Sequence, residues 1–140
     1  MRKLFILVCA ITLCTLTLFV ILPFAESRFD RGRVSNAELE IGVSDRFTHD
    51  EIAAAMDVVK ASFSDNRGRN DELLSLVYSE VHSDWRIEMD DLDQERTIVL
   101  FSDWYQGQGF GRERQWMPWT WILSRQSPSD SWVVIGGGKI

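Results

Sequence analysis

The run Leu4–Ala25, LFILVCAITLCTLTLFVILPFA, carries no charge over 22 residues. No other feature of the 140-residue chain constrains it as strongly. Such a run buries its backbone polar groups only as a helix if it enters a bilayer, and about 20 apolar residues suffice to span one. It is also longer than the h-region of a signal peptide, about 7–15 residues. The leading reading of residues 1–25 is an uncleaved signal anchor, with a signal peptide cut near Ala25-Glu26-Ser27 as the alternative. The membrane, met through residues 4–25, is the one partner expected directly from the sequence. Arg2 and Lys3 on a very short tail favour that end staying inside, which places the rest of the chain outside the cytoplasm, although Arg28, Arg31 and Arg33 add positive charge on the far side.

Charge separates this leader from the rest of the chain. Residues 34–140 hold ten basic and nineteen acidic side chains, a balance of −9. A surface of that sign repels phosphate backbones, so no nucleic-acid partner is expected. Both cysteines, Cys9 and Cys14, lie inside the apolar run, and neither follows the small residues that lipid attachment requires. The remainder has no thiol, so it folds without a disulfide, a thiol nucleophile or a cysteine zinc site.

Residues 26–45 read as a polar juxtamembrane linker and residues 46–140 as a single domain. Thr48 with Glu51 three positions on forms a capping box, and Phe47 with Ile52 a hydrophobic staple. Ile52, Met56, Val59 and Phe63 then follow helical spacing, and the polar run Ser64–Gly68 ends the helix. Four strand-like stretches come next: 73–78, 97–105, 119–125 and 132–135. Pro118 cannot donate to a ladder, so the third strand starts at or after it, or lies on an edge there. Residues 126–131 form the turn of a terminal hairpin. The expected class is α+β: one main amphipathic helix packed on a curved antiparallel sheet of about four strands, plus an N-terminal hydrophobic helix.

Several of these stretches together resemble an uncharacterised family of small bacterial exported or membrane-attached proteins. They are Ser44–Ile52, Val58-Val59-Lys60, Leu73–Glu80, Thr97–Leu100 and Trp119-Thr120-Trp121-Ile122-Leu123-Ser124-Arg125. The likeness covers about residues 44–135, and the W-x-W-I-L-x-R strand is its most specific part. It implies a cystatin-like or nuclear-transport-factor-like cone and no known activity. Family members end in a motif like W-x-V-x-D-W-G-Y, whereas this chain ends Trp132-Val133-Val134-Ile135-Gly136-Gly137-Gly138-Lys139-Ile140.

Candidate site residues come from the aromatic content. Tyr78, Trp104, Trp119, Trp121 and Trp132 fall on or beside the expected strands, where they either pack the helix–sheet seam or wall a concave ligand site. The acidic run Glu88–Glu95 lacks the register of a calcium loop and reads as a solvated loop. His49 and His82 have no metal-ligand spacing, no G-x-S-x-G elbow occurs, and the glycines of Gly107–Gly111 do not match a dinucleotide loop. No metal, cofactor or catalytic residue is therefore assigned. Asp103, Tyr78, His82 and Arg125 are the groups from which a cone-fold enzyme would draw its acid and base. The leading function is a non-enzymatic ligand-binding or accessory module; the alternatives are such an enzyme, or a protein-interaction or assembly domain.

Overall fold

Thr48 opens the first helix as the sequence expects. Its side chain accepts the Glu51 amide at 3.3 Å while its own N–H donates to Glu51 Oε2 at 2.8 Å. The helix, α1 (His49–Asn66), buries Ile52, Ala55, Met56, Val59 and Phe63, one stripe at helical spacing. In this computed structural model the described residues are 31–107 and 113–139. The apolar run 4–25 with its expected helix, and most of the glycine-rich run Gly107–Gly111, lie outside them. Among the described residues no helix is long and apolar enough to cross a membrane.

The sheet has five strands in the order β1 (Glu38–Ile41), β2 (Glu72–Tyr78), β3 (Thr97–Gln106), β4 (Gln115–Ser124) and β5 (Val133–Lys139). It departs from the expected sheet in two ways. It is mixed rather than antiparallel, because β1 runs parallel to β2. It also has a fifth strand, supplied by the polar stretch read as a linker, where Arg33 bridges Glu72 as well. A second helix, α2 (Glu80–Met89), was not expected either. Among the described residues the architecture is α+β with two helices and this mixed sheet.

Register explains which side chains meet. At β2 the pairing with β3 shifts between Leu73 and Ser75, a bulge at Leu74. The extra residue lets Leu73 and Leu76, three apart, point to the same face. That face carries Tyr78, Ile98, Leu100, Trp104, Trp121 and Leu123, and α1 lies on it. Among the described residues the opposite face is covered at one end only, where Ile87 of α2 packs on Val99 and Ile122. Thr97, Ile98, Val99 and Leu100 are all buried for this reason: both faces of β3 are covered there.

Pro118 sits inside β4, opposite Asp103 of β3. β4 therefore starts three residues before Pro118 and not at or after it, and Trp119 pairs with Lys139, the last described residue. β5 starts one residue after the strand expected at 132–135 and runs four residues further, through Gly136-Gly137-Gly138 to Lys139.

Candidate functional surface

The aromatic residues singled out from the sequence converge on the α1 face, and packing accounts for them. Tyr78, Trp104, Trp121 and Trp132 are buried in one cluster, and Trp119 packs against it partly buried. Phe63 of α1 stands edge-on to Trp104 with centroids 5.6 Å apart, and Phe47 stands edge-on to Trp132 at the same distance. The Trp121 indole donates to Ser102 Oγ at 2.9 Å, and the Trp132 indole to the main-chain oxygen of Glu51 at 3.0 Å. Helix α1 fills the hollow these rings would otherwise wall.

The potential acid–base groups are divided between the two faces of the sheet, Tyr78 and Arg125 on one, Asp103 and His82 on the other. Tyr78 is on the α1 face at the end of β2, where its hydroxyl lies 3.2 Å from Ser44 Oγ and donates to Glu80 Oε2 at 3.3 Å. Burial pushes the Tyr78 phenol above its ordinary value, while the Ser44 hydrogen bond works the other way. The Ser44 hydroxyl, then the Asp45 amide, hold the Glu80 carboxyl below the usual range. Asp103 belongs to the opposite face of β3 from Ser102 and Trp104. His82 is on α2, its Nδ1 3.1 Å from Ser79 Oγ. Arg125 is engaged by Glu51 Oε1 at 2.5 Å and by the Pro128 carbonyl at 3.1 Å. A groove of about 380 Å³ beside this pair is lined by Asp50, Glu51, Arg125, Asp130 and Trp132. Its one cation is already neutralised by Glu51, so it offers no free positive charge to a substrate.

Among the described residues no cluster of His, Cys, Asp or Glu is arranged to hold a metal ion. Glu88 and Met89 close α2, and the rest of the acidic run forms the turns leading into β3.

The face opposite α1 is different. Among the described residues, the large apolar side chains left exposed are Leu39, Val43, Val81, Trp85, Met89, Trp116, Val133 and Ile135. Val81, Trp85 and Met89 recur at every fourth position and form a row along the outer side of α2. Trp116 lies across from Tyr105 on the face of β3–β4 that α1 does not touch. Val133 pairs with Ser124 on that same face. Val133 and Ile135 also line a groove of about 510 Å³ with Gln126 and Asp130. A further hollow of about 160 Å³ lies between Val77, Phe101 and Asp103. Trp85 and Trp116 were visible in the sequence as aromatic residues. Their grouping on one side was not, because it depends on α2. The signal available was the spacing Val81–Trp85–Met89 within an otherwise polar segment.

Comparison with protein-family models, with curated proteins and with solved structures gave no match.

Proposed function

We propose that this protein is a non-enzymatic binding or accessory module whose contact surface is the half-covered face of its sheet, and whose partner is another protein. The observation that carries this reading is the row Val81, Trp85 and Met89, with exposures of 77%, 58% and 60% on a helix whose inner side is already packed. Exposed apolar surface of this kind marks interaction sites. The charge around the row selects the partner's chemistry. Residues 80–95 hold seven acidic side chains and one arginine. An anionic lipid surface is repelled by such a rim, whereas a protein segment with apolar anchors and flanking lysines or arginines is attracted.

The membrane segment 4–25 belongs to this proposal, with the domain outside the cytoplasm and secretion after cleavage as the alternative. So does the resemblance to the exported family, in which α1 lying across β2–β5 stands for the helix of a cystatin-like cone. Tyr78 and Arg125 are each taken up by partners that tie elements of the fold together, and Asp103 and His82 lie on the other face of the sheet, which speaks against the enzyme reading.

The test is site-specific photocrosslinking in cells producing the full chain. A photoreactive residue at position 85 or 116 is expected to give one discrete protein adduct, lost when Met89 is changed to Glu. The same residue at Asp57, exposed on α1, is expected to give none. Equal crosslinking from all three positions, or none, overturns the reading. Protease digestion of intact cells checks the placement outside the cytoplasm.

A further inference from the structure

Six acidic residues among those described are partly buried: Glu51, Asp71, Glu72, Glu80, Asp84 and Asp103. All but Asp103 have partners. Arg125 takes Glu51, Arg33 and Arg114 share Glu72, and Arg46 takes Asp84. The Gly68 and Gly107 amides donate to Asp71, and the Asp45 amide donates to Glu80. The Asp103 carboxylate makes no hydrogen bond or ion pair among the described residues. A half-buried charge is normally paired or hydrogen-bonded, because burial strips away part of its water.

Asp103 belongs to the open face of β3, where the register sets Ser75 of β2 on one side of it and Pro118 of β4 on the other. Neither brings a charge. With Ser75, Val77 and Phe101 it lines the hollow of about 160 Å³. Small-molecule sites are commonly about 300–1,000 Å³, so this one suits a single side chain. Its walls are an aliphatic group and an aromatic ring, and its polar end is the unpaired carboxylate. Glu38 and Glu40 of β1 flank it on the same face, opposite Ser75 and Val77. His82 stands edge-on to Phe101 with centroids 6.0 Å apart, so the hollow adjoins the first turn of α2, where the exposed row begins with Val81.

We propose that the protein partner of this surface inserts one arginine into the hollow, its guanidinium on Asp103 and its stem between Val77 and Phe101. That anchor rests on the protein-contact reading of the open face given above, and it supplies the charged member beside the apolar row. Arginine fits better than lysine, because its planar fork takes both oxygens of a carboxylate and its flat group stacks on an aromatic ring such as that of Phe101. Arg33 and Arg114, beside Glu72 on the same face, are held by that carboxylate. Glu38, Glu40 and the acidic residues of α2 draw an incoming cation toward the hollow.

The test observes the amide resonances of the full chain in detergent micelles by nuclear magnetic resonance. Millimolar Nα-acetylarginine amide is expected to shift the amides of Val77, Phe101 and Asp103. The citrulline amide, of the same shape but uncharged, is expected to leave them in place, and the lysine amide to shift them less. Asp103→Asn breaks no side-chain bond of the fold, so it is expected to abolish the shifts with an unchanged urea midpoint. In cells, Asp103→Asn is expected to lower the yield of the adduct from position 85 about tenfold, the effect of losing one charge-assisted hydrogen bond. Shifts equal for arginine and either control, or shifts that survive Asp103→Asn, overturn the proposal. So does an undiminished adduct in Asp103→Asn, which leaves the contact surface standing without its arginine. Absence of any adduct from positions 85 and 116 instead removes the surface reading, and the arginine with it.

Discussion

The guanidinium of Arg125 lies over the ring of Trp132, its carbon 4.4 Å from the ring centroid. The same guanidinium donates to Glu51 in the first turn of α1, and the Trp132 indole donates to the Glu51 main-chain oxygen. Three elements are thus tied at one point: the end of β4, the start of β5 and the capped end of α1. Glu51 has two tasks there, because it also closes the capping box with Thr48.

The Arg125 side chain is only 6% exposed and that of Glu51 29%, so the pair lies between a surface bridge and a buried one. Removing one member of a buried pair typically costs 3–5 kcal/mol; partial exposure of Glu51 brings the expected loss for Arg125→Ala to about 2–3 kcal/mol. Arg125→Lys keeps the charge and loses the planar fork and the stacking, so about half of that loss is expected. Urea unfolding of the full chain in detergent measures both. A change under about 0.5 kcal/mol for Arg125→Ala would show that the tie contributes nothing.

Two tryptophans should behave in opposite ways. Trp104 is 1% exposed, edge-on to Phe63 and beneath the Arg67 guanidinium at 4.4 Å. Trp104→Ala leaves a large cavity and is expected to cost about 3–5 kcal/mol. Trp85 is 58% exposed, and Trp85→Ala is expected to change stability by no more than about 0.5 kcal/mol. Trp85→Ala is expected instead to reduce formation of the crosslinked adduct from position 116. A large loss of stability at Trp85 would mean that its ring is part of the fold.

What the sequence revealed depended on whether a side chain's surroundings were local. The helix α1 was legible because its cap, its staple and its buried stripe are written within eighteen residues. The α2 helix was not, because only Ser83 and Ile87 are buried on it and its apolar row faces outward, the reverse of the amphipathic pattern. β1 is not legible because four alternating residues next to a charged stretch look the same in a linker and on an edge. The aromatic rings were found by type, but whether they wall a hollow or fill it depends on where α1 lies. Periodicity could not supply that.

The glycines of β5 give a sharp pair of substitutions. Gly137→Val drives a side chain into the Thr120 carbonyl, which is backbone and cannot give way, and is expected to unfold the β4–β5 hairpin. Gly138→Val enters open space and gains β propensity, so stability is expected to stay level or rise by a few tenths of a kcal/mol, about the scale of strand propensities. Thermal melts monitored by tryptophan fluorescence compare the two. Equal loss from both substitutions would show that contact with Thr120 does not decide the matter.

The pH dependence rests on three groups. Glu51 is held low by the Thr48 amide and then by Arg125, and Glu80 by the Ser44 hydroxyl and then by the Asp45 amide. A carboxyl whose folded value lies below its unfolded one contributes stability above the unfolded value, about 4.3, and that contribution disappears as pH falls through the folded value. Acid unfolding is therefore expected to steepen below about pH 4.3, and Glu51→Gln is expected to flatten this part of the curve. Tyr78 has the opposite sign: its folded value is raised, chiefly by burial, so its contribution is present below the unfolded value, about 10, and is lost as pH rises from there through the folded value. Tyr78→Phe is expected to remove that alkaline loss while sacrificing the hydrogen bonds to Ser44 and Glu80, at a cost of about 1 kcal/mol near neutral pH. Urea midpoints measured across the acid and alkaline ranges test both limbs. Acid and alkaline limbs unchanged in Glu51→Gln and Tyr78→Phe would show that neither group's titration is linked to folding.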